Sequence, residues 1–260
     1  HCTKGFTEYC TICAYLHDIG KQFIPQSILQ KPSKLTDEEF DVMKTHTTIG
    51  YKICMNDLKL RPYAAGPLYH HEALNGTGYP QGLTKKDIPY EGQIIRVADE
   101  YDAIVSKRQY KSHIGITDTI KILIDNTKPF SNVDSSVAVK HLSENAKLGK
   151  DNPIIVKALI SVVIEDINYE ISCSLDYLSN LESTIKRLKI AKDYNDKMLK
   201  ASNDKKRQYY FEGVKSYLAP EENPENFENV LSEYVIAYDN KKAHIAHLQD
   251  EIKKIKKLRV

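Results

Sequence analysis

The segment EGQIIRVADEYDAIVSK, from Glu91 to Lys107, decides the fold class. Its apolar side chains recur every three or four residues, as they do on one face of an α-helix. They are Ile94, Ile95, Val97, Ala98, Tyr101 and Ile104. A second segment, LTDEEFDVMKTH, has Thr36 as a helix N-cap before three acidic residues, with Phe40 and Met43 then at helical spacing. Alternating strand patterns are scarce, so the sequence predicts an all-α fold.

The composition changes near residue 170 and predicts two parts, a compact helical domain over residues 1–170 and a helical extension over residues 171–260. Apolar residues of the extension step by four and three along a heptad seam that only Lys241 interrupts. The members of this seam are Phe227, Leu231, Tyr234, Tyr238, Ile245, Leu248, Ile252 and Ile255. A weaker upstream seam consists of Leu178, Leu181, Ile185, Leu188 and Leu199.

Gly213, Pro220 and Pro224 lie between the two seams, where we expect them to break the helix. The simplest structure for the extension is a long antiparallel helical hairpin or a coiled-coil arm that dimerises. The alternative is a set of helices that only caps the core of the domain.

The bulk composition limits the function classes. Of the 260 residues 41% are apolar and 28% charged, as in ordinary globular proteins. A net charge of +2 gives no global field for a nucleic-acid polymer or an anionic membrane. No apolar run approaches the roughly 18 residues of a membrane span. Because His1 is not a methionine, we expect the natural N-terminus to lie upstream.

The five cysteines form no disulfide framework, because their number is odd. Cys10 and Cys13 make a CxxC pattern inside an apolar helical segment, which two core cysteines explain more simply than a metal or redox pair. A reducing cytoplasm is the expected location.

Apart from His1, the histidines before residue 100 fall in three short segments, LHDIGK, KTHTTIG and HHEALNGTGYP. The first and third of these contain an acid, and RVADEYDA supplies Asp99. The candidate metal ligands are His17, Asp18, His46, His70, His71 and Asp99. Imidazole and carboxylate groups bind iron, manganese and zinc, and an aspartate can bridge two ions. Adjacent ligands diverge by about 100° on a helix, which suits two ions better than one. Each residue alone could be an ion-pair partner or a helix-terminal charge, but together they predict a two-metal site for phosphate esters.

Three motifs between Leu16 and Lys111 resemble the HD-GYP family of metal-dependent phosphodiesterases, in the family's order. They are HDIGK with the downstream KLT.EE and MK.H..IG, then HHE...G.GYP, then R.ADEYDAI.S.R.YK. The resemblance implies a helical HD-superfamily domain with two or three divalent ions, iron or manganese. It also implies hydrolysis of cyclic di-GMP to linear pGpG, GMP or both, by attack of a metal-activated hydroxide on phosphorus. Some members of the family prefer cyclic GMP-AMP.

Carried over by position, the resemblance makes the six candidates metal ligands, with Asp18 bridging. Asp18 and Lys21 would be the catalytic residues, because the lysine can stabilise charge on the scissile phosphate. Arg108 and Lys111 would hold substrate phosphates from one helix face. Tyr79 and the glycine loop before it would shape the nucleotide pocket and bring backbone beside the substrate.

The sequence departs from the family pattern at three places. Asn75 stands where many members have aspartate, and Gln109 where they have proline. The family also has a histidine ligand on an upstream helix, whereas only His1 precedes His17 here. In one continuous helix those two residues would lie about 24 Å apart. Either His1 is that ligand and chain is missing before His17, or the ligand lies upstream of this sequence.

The predicted function is therefore a bacterial cyclic di-GMP phosphodiesterase. One alternative is a catalytically weak sensor or scaffold that acts through the helical arm. Another is an HD phosphohydrolase acting on mononucleotides, which the GYP and R..YK motifs disfavour. The expected partners are a cyclic dinucleotide and a second copy of the chain bound through the C-terminal helices, with no DNA or RNA polymer.

Overall fold

The computed structural model describes residues 3–106, 114–129, 148–219, 222 and 226–260. The helices are α1 (Lys4–Leu16), α2 (Gln26–Leu29), α3 (Asp37–Lys44), α4 (His46–Asn56), α5 (Ala65–Tyr69), α6 (Tyr90–Val105), α7 (Ile116–Asn126), α8 (Pro153–Leu199), α9 (Asp204–Ser216) and α10 (Phe227–Ile255). Short 3-10 helices cover Ile19–Phe23 and Arg61–Tyr63. Within these ranges the only β-type pairing is an isolated bridge between Asn75 and Thr84. The all-α prediction is confirmed.

The described residues divide into two compact units. The first contains those up to Val162 together with Ile255–Val260, and the second is Val163–Lys254. Helix α8 passes from one unit into the other without a break, so the domain limits 1–170 and 171–260 stay a prediction. None of the described helices is both long and apolar enough to cross a membrane.

In the first unit, α5 packs against α1, α4 and α6, and α6 packs against α7. Buried apolar residues of these helices include Cys13, Cys54, Leu68, Ile95, Val97, Ile120 and Leu123. Cys13 is fully buried, and the cysteines that the described ranges contain form no disulfide. Cys13 of the CxxC pattern is thus a core residue.

The 3-10 helix Ile19–Phe23 crosses α4 at a distance that only glycine permits. A Cβ atom on Gly20 would lie 2.0 Å from the carbonyl oxygen of His46 and 2.7 Å from the amide nitrogen of Gly50. Such distances are far below van der Waals contact, so a larger residue would push the two elements apart. The close crossing brings the backbone after Asp18 against the start of α4 and so places Asp18 beside His46.

The two segments from which helices were predicted fold as helices. Thr36 caps α3 in a capping box, in which its hydroxyl accepts from the Glu39 amide and the Glu39 carboxylate accepts from the Thr36 amide. His46, however, is not at the end of this helix. Helix α3 ends before Thr45, and His46 is the first residue of α4. Helix α6 carries Asp99 as expected.

In the second unit, α8 and α10 form an antiparallel hairpin. Lys192 pairs with Glu228 at 2.6 Å, and Glu170 pairs with His244 at 2.8 Å, so chain order runs in opposite directions along the two helices. Their buried core, with α9, contains Ile185, Leu188, Ala191, Val214 and Leu231. Of the predicted seam in this unit, Leu231, Ile245, Leu248 and Ile252 are buried. The predicted hairpin is confirmed, and the side chain of Phe227 lies outside the described part.

Two details of the predicted hairpin are wrong. Gly213 does not break a helix but lies within α9, where a Cβ atom would come within 2.3 Å of the Tyr194 ring. Its role is therefore to let α9 pack closely on α8. Leu199 is 71% exposed, so the upstream seam ends before it. Pro220 and Pro224 lie outside the described residues.

Candidate metal centre

The His-Asp pair lies at a junction between two helices and not on a helix face. His17 is the C-cap of α1, and Asp18 is the N-cap of the following 3-10 helix. The expected divergence along one helix therefore does not apply. The turn instead places His17 Nε2 at 3.2 Å from Asp18 Oδ2.

Three of the histidines are oriented by the same local hydrogen bond. His17, His46 and His70 each use Nδ1 to reach a backbone carbonyl oxygen three residues earlier. The acceptors are those of Ala14 at 2.5 Å, Met43 at 2.7 Å and Pro67 at 3.0 Å. Since a carbonyl oxygen only accepts, Nδ1 carries a proton, and Nε2 faces the cluster, where it presents a lone pair whenever the imidazole is neutral. This backbone hydrogen bond is typical of metal-binding histidines.

These Nε2 atoms converge on the carboxylate of Asp18. His46 Nε2 lies 3.2 Å from His70 Nε2, and Asp18 Oδ1 lies 3.5 and 3.8 Å from the two. Two atoms that bind one ion at about 2.1 Å are about 3.0–3.5 Å apart in octahedral or tetrahedral geometry. Among the described residues, ligand atoms within 4.8 Å of one another form two groups of three residues, His46–His70–His71 and His17–Asp18–His70.

The two oxygens of Asp18 face different partners. Oδ2 faces His17 and Lys21, whereas Oδ1 faces His46 and His70. Oδ1 is buried and has no hydrogen-bond partner among the residues that the structure describes. A buried carboxylate oxygen facing two imidazole lone pairs is unfavourable unless a cation lies between them. The residues present therefore fit a bound metal ion.

Electrostatics keeps part of the cluster in the form that binds metal. Burial lowers the pKa of His46, and it lowers the pKa of His70 to about 3 and that of His71 to about 2. These three imidazoles are neutral near pH 7, which is the ligating form.

The other side of the cluster attracts positive charge. Burial alone would lower the pKa of His17, but hydrogen bonds with Asp18 and Asp99 outweigh it and raise this pKa to about 10. Burial alone would raise the pKa of Asp18, yet His17 and Lys21 hold it well below its usual range. Asp99 Oδ1 lies 3.6 Å from His17 Nε2. A divalent cation would compete here with the proton on His17.

Glu72 is a residue of this region to which the sequence analysis gave no role. It directly follows the histidine pair and is 1% exposed. Its carboxylate accepts from the backbone amides of Gln81 at 2.7 Å and Leu83 at 2.8 Å. The sequence signal that could have identified Glu72 was its position as an acidic residue directly after two candidate ligands. Glu72 fixes the glycine loop instead of joining the metal ligands.

The glycine loop packs on the protein's own backbone. A Cβ atom on Gly78 would lie 2.3 Å from the Ala73 amide nitrogen and 2.5 Å from the His71 carbonyl oxygen. Glycine is thus required at this position without any ligand. The loop ends at Tyr79, whose ring stacks on that of His71 with 4.6 Å between centroids. Asn75 keeps the hydrogen bonding expected of it, because Oδ1 accepts from the Thr77 amide and hydroxyl.

The remaining predicted site residues divide into two sets. Lys21 borders the cluster, with Nζ at 2.5 Å from Asp18 Oδ2. His1, Arg108 and Lys111 lie outside the described residues, as does Gln109, so their predicted roles stay predictions.

Comparison with known proteins agrees with this arrangement. The family model described as HD domain matches residues 4–137, just over half of the chain. A protein of Thermotoga maritima named cyclic di-GMP phosphodiesterase is 50% identical over 112 residues, which are 42% of this chain and 30% of that protein. A cyclic di-GMP phosphodiesterase response regulator of Xanthomonas campestris is 46% identical over 102 residues, 38% of this chain and 27% of that protein.

A 3′3′-cGAMP-specific phosphodiesterase of Vibrio cholerae is 42% identical over 98 residues, 37% of this chain and 19% of that protein. The matched region thus spans less than a third of each of these three relatives. The family model covers all six candidate ligands of the histidine and aspartate cluster described above. The chain belongs to the HD domain family and, within it, to the HD-GYP proteins.

Proposed function

We propose that this protein is a metal-dependent phosphodiesterase that hydrolyses a cyclic dinucleotide, with cyclic di-GMP as the first candidate. The observation that supports this most is the arrangement around Asp18. Its two carboxylate oxygens face different imidazoles, and one of these oxygens is buried with no hydrogen-bond partner among the described residues.

The proposal assigns the ligands to two ions, iron or manganese. His46, His70 and His71 would hold one ion with Asp18 Oδ1. His17 and Asp99 would hold the other with Asp18 Oδ2. Two divalent ions held there would polarise the phosphate oxygens and lower the pKa of a bound water towards neutrality. Whether a third ion binds is left to measurement of the metal content.

Lys21 has the position to act on the substrate. Its ammonium group borders Asp18 at the rim of the cluster and is about one-third exposed, so a phosphate oxygen can reach it. The reaction joins a water oxygen to phosphorus and breaks the bond to a ribose 3′ oxygen, which takes up a proton. A fixed cation beside the phosphate stabilises the charge that grows on its oxygens.

A cavity of about 200 Å³ lies beside Tyr79 and offers space for a nucleobase. It is lined by Asp41, Lys44, Thr45, Thr48, Tyr79 and Pro80. Because Tyr79 stacks on His71, a base in this cavity would leave its phosphate near the metal ligands. The names of the relatives include both cyclic di-GMP and 3′3′-cGAMP, so the second base is the open question about the substrate.

The test is hydrolysis by anaerobically purified protein loaded with manganese or iron. We expect linear dinucleotide or GMP from cyclic di-GMP, with 3′3′-cGAMP as the comparison substrate, when products are separated by chromatography. Asp18→Ala should abolish turnover. The matched control is Asp193→Ala. Asp193 is a surface aspartate of the second unit, and its ion pair with Lys197 is exposed to solvent. Folded protein with two bound ions but no product from either dinucleotide would contradict the proposal.

A sensor without turnover is the second candidate, and one observation favours it. The His17 side of the cluster has fewer described ligand residues than the His46 side, so its ion would be held more weakly. Tight binding of cyclic di-GMP without product, in protein shown to hold two metals, would identify a sensor. A dimer formed through the α8–α10 hairpin is a further expectation, which analytical ultracentrifugation would test.

A further inference from the structure

Arg96 connects three segments of the first unit. It lies on α6, one helical turn before Asp99, and its side chain is 15% exposed. Nε donates to Asp151 Oδ1 at 2.7 Å, and Nη1 donates to the carbonyl oxygen of His71 at 3.4 Å. Nη2 forms an ion pair with Glu100 at 3.6 Å. One guanidinium group thus links α6, the histidine pair and the segment before α8.

The position of Asp151 is itself fixed by the backbone around it. The Asp151 amide donates to the carbonyl oxygen of Asn126 at 3.2 Å, and the side-chain amide of Asn126 donates to Glu100 at 2.5 Å. The neighbouring Lys150 carbonyl accepts from the Leu74 amide at 2.9 Å. The segment before α8 is therefore tied both to α7 and to the loop that follows the histidine pair.

The burial of this network argues for a precise geometry. The side chain of Asp151 is completely buried, so its charge depends on Arg96 for compensation. A guanidinium group is planar and directs its N–H donors in a rigid fork, which a lysine ammonium cannot reproduce. Arg96 therefore fixes both a distance and an angle between α6 and the backbone of His71.

The partners of Arg96 lie next to candidate metal ligands on both sides. His71 supplies the carbonyl oxygen as well as a candidate imidazole ligand, and Glu100 directly follows Asp99 on α6. Groups that hold metal ligands from behind commonly change metal affinity or activity by about 10–100-fold when they are removed.

We propose that Arg96, anchored by Asp151, is a positioning residue that sets His71 and Asp99 in the geometry for binding metal. This inference rests on the proposed function, because it concerns the same metal centre. It adds a residue that contacts neither the metal nor the substrate in the assignment above.

The test compares Mn²⁺ binding and turnover for Arg96→Lys, Arg96→Gln and Asp151→Asn. Affinity for Mn²⁺ is measured by competition with a chelator, and kcat and KM are measured with cyclic di-GMP. We expect Arg96→Lys to bind Mn²⁺ about 10-fold or more weakly and to lose kcat by a larger factor than KM changes. If Arg96→Gln fails to fold, the lysine and asparagine variants still decide the question.

Arg187→Lys is the matched control. Arg187 also joins a carboxylate, that of Glu222, to a backbone carbonyl oxygen, that of Tyr217, but it does so in the second unit. We expect this variant to lose stability while keeping the wild-type affinity for Mn²⁺.

The outcomes separate this inference from the proposed function. Folded Arg96→Lys with wild-type Mn²⁺ affinity and kcat would overturn the positioning role, while wild-type turnover would still support the phosphodiesterase. Weaker Mn²⁺ binding by the variants of a protein that hydrolyses neither dinucleotide would support the positioning role and contradict the enzyme.

Discussion

At the scale of single residues, the centre depends on how each imidazole is oriented. His17, His46 and His70 all follow a helical turn or begin one, and each bonds the carbonyl oxygen three residues earlier. The hydrogen bond directs Nε2 towards Asp18 before any ion is bound. A local backbone feature thus prepares ligands that come from distant parts of the sequence.

Lys21 can be separated from the ligands by replacement with methionine. We expect Lys21→Met to lower kcat by about 100-fold, because the charge on the scissile phosphate loses its fixed cation. Mn²⁺ affinity should stay equal or increase, since Asp18 loses a competing positive charge. Steady-state kinetics and chelator competition measure the two effects. Lys186→Met, at a side chain that is 72% exposed in the second unit, is the control. A kcat equal to that of the wild type would exclude Lys21 from catalysis.

At the scale of elements, the loop after the histidine pair is held from inside the protein. The Glu72 carboxylate accepts hydrogen bonds from the backbone amides of Gln81 and Leu83. Gly78 lies against the backbone that carries His71. The loop and the imidazole are consequently one structural piece. Tyr79 is positioned on His71 by this packing.

We expect Gly78→Ala to destabilise the protein by about 2 kcal/mol or more, because its methyl group would overlap the Ala73 backbone. Turnover should fall with it, since His71 and Tyr79 move together.

Gly5→Ala is the control at a glycine that has space for a methyl group. Gly5 lies in α1 with nothing within 4 Å of an added Cβ, so its replacement should leave stability unchanged or raise it by up to about 1 kcal/mol. Urea unfolding measures both, and equal stability of the two variants would show that the loop can shift freely.

The sequence predicted those features of the fold that depend on local spacing. Thr36 and the acids after it predicted the start of α3, and the apolar period predicted α6 and most of the buried seam of α10. The break at Thr45 was not visible, because no glycine or proline adjoins it in the sequence. Gly213 was misinterpreted because its contact with Tyr194 comes from another helix.

The candidate site was predictable in composition but not in arrangement. The six ligand candidates could be chosen because imidazoles and carboxylates were concentrated in a few motifs. The position of His17, Asp18 and His46 at helix junctions, and the contacts of Glu72 and Arg96, follow from tertiary structure. The partner of Arg96, Asp151, lies 55 residues further along the chain, beyond the reach of spacing rules.

At the scale of the whole molecule, the second unit has its own core and its own ion pairs. Arg187 forms a bidentate ion pair with Glu222, whose side chain is 10% exposed. The hydrogen bond with Arg187 holds the pKa of Glu222 below its usual value of 4.5. A carboxyl group with a lowered pKa stabilises the folded state above its unfolded pKa and loses this effect as the pH falls through its folded pKa.

We therefore expect Glu222→Gln to lower the free energy of unfolding by about 1–3 kcal/mol at pH 7. The difference from wild type should shrink as the pH falls below 4.5 and through the lowered pKa of the folded state, because the wild-type carboxyl group is then protonated as well. Urea unfolding followed by circular dichroism at several pH values measures it. Glu182→Gln, at an exposed pair with Lys186, should change stability by less than about 1 kcal/mol. A Glu222→Gln difference that is independent of pH would contradict the assigned role of the charge.

The two-metal centre at Asp18 is tested by an anomalous-scattering map from crystals of the protein grown with Mn²⁺. We expect two strong peaks on opposite sides of Asp18, each about 2.0–2.3 Å from one of its carboxylate oxygens. One peak should contact Nε2 of His46 and His70, and the other Nε2 of His17 and the carboxylate of Asp99. Ordered protein with no peak at Asp18, or with Mn²⁺ bound only at other residues, would contradict it.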